Sequence, residues 1–527
     1  MEQTARITGG LRQGLAAWTR WGWLLGVGFL LITLVSRIPF RSQTLFAWDS
    51  ANYAFALEEY NVAFHQPQPP GYPLYVASAR LFYALGFDAN TSYVALSLIA
   101  SSLAVWCLYL LGWRLYDLQT AVVSALLLAT SSNFWSHGEV AYPYAFLALF
   151  STLMLLLLTE TKLGTRNLIV PAAFVLGLGA GFRPDLLLFL LPVWVYAWWG
   201  RSLRSLAAGF GVLLVVVLAW AIPTVQLSGG WEAYLRASTE HYGFWAGQSS
   251  GLIGYLKSVL DNTRTLVTVL YNGVGLALLP IVYFLGRYFS PQQVVRDART
   301  RLILLWIAVP FVFYMVVFMG NPGYVLSFLP GLIIYAALAV RGFARDCEQA
   351  CRFLMTQRGM VTTAITPHRV SLGITFVLVA VITVSNSLLF FFAPGAGRYQ
   401  EIRQIDETLT RQVRYITLNH SPDNTLIIAF DRSHQLEYYL QDYSFHLLFN
   451  PGDPRYWESR REFTSPAGIT QVLLPDLGRN TSDRTEQIVE IGLGPGVSLF
   501  VAHVKPGDTL IHGHQYASVR PPPEEGA

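Results

Sequence analysis

The sequence predicts an α-helical multi-pass membrane protein that ends in a small extracytoplasmic α/β domain. Three observations predict it. Of the 527 residues, 53% are hydrophobic and only 13% charged, about half the charged share of an average soluble domain. Apolar runs recur from Trp21 to Phe392, each long enough to cross a hydrocarbon core of about 30 Å as a helix. After that the composition turns to that of an ordinary soluble domain. The expected division is therefore a transmembrane module over 1–397 and an α/β domain over 398–527.

The runs give about eleven spans, at 21–40, 92–113, 118–134, 143–160, 167–182, 184–200, 205–227, 265–287, 301–319, 324–340 and 371–393. The basic residues preceding the first run do not make it a cleaved signal, because the run is long and no small-x-small cleavage site follows. Basic residues then orient the chain. Arg12, Arg20, Arg114, Lys162, Arg166, Arg201, Arg204, Arg287, Arg296, Arg299, Arg341, Arg345 and Arg352 all fall on one side, which identifies that side as the cytoplasm. The loops at 41–91, 135–142, 228–264 and 320–323 face outward, and an odd span count leaves the tail outside as well. The net charge of +4 reflects this sidedness rather than a nucleic-acid surface.

Two segments break the pattern. Gly71 to Phe87 carries Arg80 and follows Pro67, Pro69 and Pro70, which suits a helix lying at the outer surface with Tyr72, Tyr75, Phe82 and Tyr83 as interfacial aromatics. Gly229 to Arg264 mixes Trp231, Tyr234, Tyr242, Phe244 and Trp245 with Glu232, Arg236, Glu240 and His241. It reads as an amphipathic outer loop with a turn at 247–251, either a lid over a cavity or a plain connection. In the tail, Tyr399 to Asn419 has helical spacing and Thr425 to Phe430 reads as a buried strand. His434 to Tyr443 follows as a helix, with further strands at Val472 to Leu474 and Val497 to Val504. Cys107, Cys347 and Cys351 are too few for a zinc site, and the tail has no cysteine to staple it.

Chemistry-bearing residues gather in the outward loops. Asp49, just beyond the first span, is suited to accept the proton of a hydroxyl nucleophile or, equally, to cap the helix starting at Ser50. The run from His65 through Pro67, Pro69, Pro70, Gly71 and Pro73 is rigid. It either holds His65 near Asp49, for a metal or a phosphate, or simply makes a stiff turn with His65 at a wet interface. His137 and Glu139, in the loop from Ser131 to Tyr144, lie at the same membrane level. With His65 they compose a candidate divalent-metal set, although their spacing matches no recognised motif. Arg183, between Phe182 and Pro184, interrupts two apolar runs; a charge at that depth needs an anion, either a lipid phosphate or Asp185 in the same turn. Tyr324, after the turn Gly320-Asn321-Pro322-Gly323, presents a hydroxyl at the same surface. No nucleotide-binding loop, kinase set or zinc-protease helix occurs, so an activated substrate must come from the membrane or from outside.

Four blocks then carry a resemblance: Trp48-Asp49-Ser50; His65 with Pro69-Pro70-Gly71-Tyr72-Pro73-Leu74-Tyr75; Phe134 to Ala145; and Gly179 to Leu186, with Gly323-Tyr324 and Leu329-Pro330 as the last piece. In this order, over about residues 20–340, the chain resembles the C-type superfamily of glycosyltransferases, and within it the protein O-mannosyltransferase-like enzymes that use polyprenyl-phosphate sugars. The Pro-Pro-Gly-Tyr-Pro-Leu-Tyr block is the most specific part. The resemblance implies that Asp49 is the catalytic base and that Glu139 matches the second outer-loop acid of relatives. Many relatives carry two adjacent acids in the first loop, whereas here Ser50 follows Asp49. It also implies inverting transfer of a sugar from a polyprenyl-phosphate carrier to a lipid, glycan or protein hydroxyl at the outer face of a bacterial-type plasma membrane. Arg183 and Tyr324 would hold the donor phosphate, with no cofactor required and a divalent metal left open at His65 and His137. The rival readings are a transporter or flippase of a lipid-linked or anionic substrate, and a non-catalytic assembly subunit. A transporter should show related halves with paired broken helices, and the sequence shows no internal repeat.

Overall fold

The computed structural model describes residues 19–249, 256–357, 367–395, 397–429, 432–447, 462–477, 487–512 and 517–522. It is a helical bundle joined to a small sheet domain. A helix lies on each predicted span: Arg20–Arg37, Ala89–Leu115, Leu118–Thr130, Tyr144–Leu163, Ile169–Phe182, Asp185–Trp198, Leu203–Leu227, Leu256–Val274 continuing into Leu278–Tyr288, Ala298–Val316, Leu329–Gln357 and Pro367–Phe392. Among the described residues, seven segments are long and apolar enough to cross a membrane. Large apolar side chains point outward on them, including Ile32, Val35, Leu214, Val215, Phe376 and Val377, as a surface facing lipid requires.

The remaining spans differ from expectation in informative ways. Ile169–Phe182 and Asp185–Trp198 have 14 residues each, so each extends only about 21 Å and falls short of a full crossing. The span expected at 324–340 begins later, at Leu329, after a 3₁₀ turn over Pro322–Ser327. It then runs on through the charged stretch to Gln357, so Cys347 and Cys351 lie on its extension rather than in a loop.

The bundle has two unlike ends. At one, the basic loops meet: Arg341 pairs with Asp117 at 2.7 Å, Arg299 donates to the Leu115 carbonyl, Lys162 to the Trp199 carbonyl, and Arg301 to the Tyr196 hydroxyl. At the other end lie the first loop, the 131–144 segment, the 320–324 turn and the C-terminal domain.

The first loop holds two short helices, Trp48–Glu58 and Pro73–Ala84. The second, with 12 residues, is too short to span, as expected of an interfacial helix. Its leading aromatics are not at an interface, however: Tyr72 and Tyr75 are buried in the core beside Tyr53 and Tyr93. The stretch expected as a loop from Gly229 is mostly helix, Trp231–Ser249. The turn expected at 247–251 falls partly on that helix and partly outside the described residues.

In the C-terminal domain a helix, Tyr399–Asn419, packs on a five-stranded sheet of order β2-β1-β4-β6-β5. β1 (Thr425–Ala429) runs parallel to β2 (Ser444–Leu447) and β4 (Gln471–Leu474); β6 (Val497–His503) is antiparallel to β4 and to β5 (Ile488–Gly494). β3 (Glu462–Thr464), β7 (Thr509–His512) and β8 (Ala517–Arg520) form a second, antiparallel sheet. The helix expected at His434 to Tyr443 is shorter, Ser433–Tyr439, because the chain turns at Leu440 and enters β2.

The domain docks on the first loop. Asp406 is buried and accepts from the Ser42 hydroxyl, the Gln43 and Thr44 amides and the Thr44 hydroxyl at 2.8–3.1 Å. Bonds to a charged acceptor contribute about 1.5–3 kcal/mol each. This contact fixes a parity: the first loop follows one span, so the tail reaches the same side only after an odd number.

Candidate active site

Asp49 sits in the first turn of the Trp48–Glu58 helix. The cap is Ala47, with no side-chain capping bond, so the capping role that Asp49 offered in the sequence is not what the structure assigns it. Its neighbours anchor the helix instead: the Ser50 hydroxyl donates to the Ala141 carbonyl at 3.0 Å, and the Tyr53 carbonyl accepts from Tyr93 at 2.7 Å. Asp49 is half-buried as a residue. Burial pushes its pKa up to about 6, while Arg183, the charge facing it, pulls the other way. A carboxyl with a pKa near neutrality can both hold and release a proton in use.

Arg183 is buried at the turn between two short helices. Its Nε and Nη2 grip Asp185 at 3.3 and 2.9 Å, so the local ion pair foreseen as the plain reading is present. It does not exhaust the residue, since a guanidinium carries five N–H donors and the grip on Asp185 takes two. The rings of Tyr72, Tyr144 and Tyr324 surround the guanidinium at 5.4, 4.9 and 5.3 Å. Tyr324 also stacks on Tyr314 at 5.3 Å, and the Tyr314 hydroxyl reaches Asp185 at 3.5 Å. The result is a cation fixed by one carboxylate within a ring of aromatic side chains, near enough for its charge to act on Asp49.

Local sequence explains the cage. Gly71 adopts φ +106, and a Cβ there would lie 2.5 Å from the Tyr60 hydroxyl; Tyr72 follows at φ 44. Only glycine enters such a turn without strain, and the turn aims Tyr72 inward. Gly323 packs the 320–324 turn flat on Tyr144, where a Cβ would approach to 2.4 Å. Tyr72, Tyr144 and Tyr314 were missed as functional candidates, because interfacial tyrosine is expected at these depths without a role. The proximity of Tyr72 to Gly71 and Pro73 was the available signal.

The other candidates go elsewhere. Glu139 is buried against Arg37, also buried, at the end of the first span. Burial raises the Glu139 pKa and Arg37 opposes it, and Arg183 is not among the charges that act on it. The Ser42 amide donates to the Glu139 carbonyl, and Arg37 is the foremost charge acting on the Glu139 carboxyl, as Arg183 is on Asp49. His65, at φ 58, closes a turn with the Asn61–Gln66 bridge and is buried rather than wet. Its ring lies 5.6 Å from that of His241 on the Trp231–Ser249 helix. Burial and then His65 lower His241 to about 4.

His137 Nδ1 bonds the Asn133 carbonyl at 2.8 Å, and its ring packs on Tyr144 at 5.3 Å. Burial lowers its pKa, so the neutral imidazole braces the 320–324 turn. The candidate metal set of His65, His137 and Glu139 is thus dispersed over three surroundings. Among the described residues no group of three or more His, Cys, Asp or Glu is placed to hold a metal ion.

Residues 67–226 match the family described as dolichyl-phosphate-mannose-protein mannosyltransferase. That segment contains the Pro/Gly turn, Tyr72, the 131–144 loop and Arg183, though not Asp49 or Tyr324. No curated protein matches the chain. The fold is similar to that of ArnT from Cupriavidus metallidurans bound to undecaprenyl phosphate, with 13% identity, a TM-score of 0.53, and coverage of 92% of this chain and 99% of that one. It is similar as well to the apo state of that protein, at 14% identity and a TM-score of 0.52, with 92% and 98% covered. The archaeal oligosaccharyltransferase AglB from Archaeoglobus fulgidus, in complex with an inhibitory peptide and a dolichol-phosphate, matches with 13% identity, a TM-score of 0.50, and coverage of 87% and 70%. The chain is a multi-pass membrane protein whose fold is similar to those of ArnT and AglB.

Proposed function

We propose that this protein is an inverting glycosyltransferase that moves a sugar from a polyprenyl-phosphate carrier to an acceptor hydroxyl at the outer face of the plasma membrane. The observation that carries the reading is a half-buried Asp49, its pKa raised to about 6 by burial, under the opposing charge of the caged cation Arg183. The ligands bound by two proteins of similar fold, undecaprenyl phosphate and dolichol-phosphate, support the carrier class.

In the proposed step Asp49 takes the proton of the acceptor hydroxyl as its oxygen attacks the anomeric carbon. The bond from that carbon to the phosphate oxygen breaks, and the lipid phosphate leaves with the electron pair. Attack opposite the leaving group inverts the anomeric centre. The N–H donors of Arg183 not used by Asp185, with the Tyr324 hydroxyl, meet the charge gathering on the phosphate. Asp185 and the tyrosine ring fix the guanidinium beforehand, so little reorganisation is needed during reaction. Glu139 does not act on the proton in this scheme; buried where the charge of Arg37 acts on it, it belongs to the loop that carries Ala141 and Tyr142.

Purified protein given a panel of polyprenyl-phosphate hexoses and pentoses tests the reading. The expected result is transfer from at least one donor to a hydroxyl acceptor, with the anomeric configuration inverted in the product. Retention of configuration would refute the single displacement. Translocation of a lipid-linked sugar across vesicles without any transfer would favour a transporter.

A further inference from the structure

The C-terminal domain touches the Trp48–Glu58 helix and the stretch leading into it at several points, and each contact is specific. Before the helix, Asp406 gathers the Ser42, Gln43 and Thr44 donors, and the Tyr439 hydroxyl accepts from the Leu45 amide at 2.9 Å. On the helix, His434 Nδ1 meets Asn52 Oδ1 at 2.6 Å and its ring lies tilted against that of Trp48, centroids 4.2 Å apart. Phe55 packs edge-on against Tyr438 at 5.3 Å. Asp49 lies between Trp48 and Asn52, so the contacted residues flank it on both sides. Asp406, His434 and Asn52 are all buried, which keeps water from competing for these bonds.

A domain that merely covered a cavity would need only apolar contact. Here a buried carboxylate converges on consecutive amides of the irregular stretch that leads into the Asp49 helix. From this we propose that the C-terminal domain is a positioning clamp for the proposed base, with Asp406 and His434 as the positioning residues that set the Asp49 helix against Arg183. The proposal rests on the reading of Asp49 as base. Displacement of a reacting group by about 1 Å lowers rates by up to about 100-fold, so the clamp acts on turnover rather than on donor binding.

The test uses the full-length protein in detergent or vesicles, with transfer kinetics, a pH–rate profile and hydrogen exchange on residues 42–58. Asp406→Ala is expected to lower kcat by about tenfold or more with KM for the donor changed less than about twofold, and to speed exchange of the Gln43 and Thr44 amides. Its acid limb should move to lower pH as Asp49 becomes better solvated. Asp406→Asn keeps an oxygen for the same donors and should recover most of kcat. His434→Phe keeps the ring on Trp48 but removes the bond to Asn52, and should lower kcat with the fold intact. Wild-type kcat and wild-type exchange in Asp406→Ala would overturn the clamp. So would an Asp406→Asn variant no better than Asp406→Ala. An Asp49→Asn control separates the two failures: if it retains activity, the base assignment fails; if it is inactive while the clamp variants turn over normally, the clamp alone fails.

Discussion

At the residue scale, burial and the charge of Arg183 together set the behaviour of Asp49. Below a pH of about 6 the Asp49 carboxyl holds its proton and cannot accept another. The rate of transfer should therefore rise through an acid limb centred near that value, read from kcat against pH. Since Arg183 opposes the effect of burial on Asp49, replacing it with glutamine should move the acid limb to higher pH. Arg183→Lys keeps the charge but loses the two-pronged grip on Asp185 and the planar face that the tyrosines contact, and should lower kcat/KM by roughly 10- to 100-fold. Asp49 and Arg183 were legible in the sequence because charges flanking apolar runs stand out. Their surroundings were not. The tyrosines assemble from positions 72, 144, 314 and 324, and no local pattern joins these. Glu139 was placed at the right end of the bundle, but the charge that acts on it there, Arg37, was not foreseen, since Arg37 looked like an ordinary span-end cation.

At the element scale, the Pro/Gly turn is the hinge on which the cage depends. Gly71→Ala forces a Cβ against the Tyr60 hydroxyl and Val62 at a backbone angle alanine rarely adopts, a strain of about 1–3 kcal/mol. Thermal denaturation in detergent should show a lower midpoint, and displacement of Tyr72 should reduce transfer in the protein that remains folded. The same change at Gly86, also at positive φ but with open space around it, should leave transfer intact. Hydropathy identified the helices well because each span reports its own burial in lipid. It failed where a contact decides the outcome: the Trp231–Ser249 segment reads as a loop by composition, yet folds as a helix against the His65 turn. The short strands β2, β3, β5, β7 and β8 also escaped, because three to seven mixed residues carry too little periodicity to stand out.

At the scale of the whole molecule, the proposed chemistry requires the basic end of the bundle to face the cytoplasm and the Asp49 end to face out. Glu59 and Leu418 are exposed on the Asp49 end, and Cys351 is exposed on the basic side. In intact cells an impermeant thiol reagent should label Glu59→Cys and Leu418→Cys, while Cys351 reacts only after the membrane is opened. The reverse pattern would place the acceptor in the cytoplasm. The odd span count foreseen from the sequence agrees with the docking of the tail on the first loop, although nothing in the sequence announced a bond between Asp406 and residues 42–44. The most direct test of Asp49 as the base is single-turnover transfer from the donor that purified protein accepts, with Asp49→Asn measured beside wild type at pH 8. The carboxamide of that variant has nearly the same shape as the carboxylate but cannot take a proton, so donor binding should stay intact and the chemical step should slow by about 100-fold or more. An unchanged chemical step in Asp49→Asn would contradict the assignment.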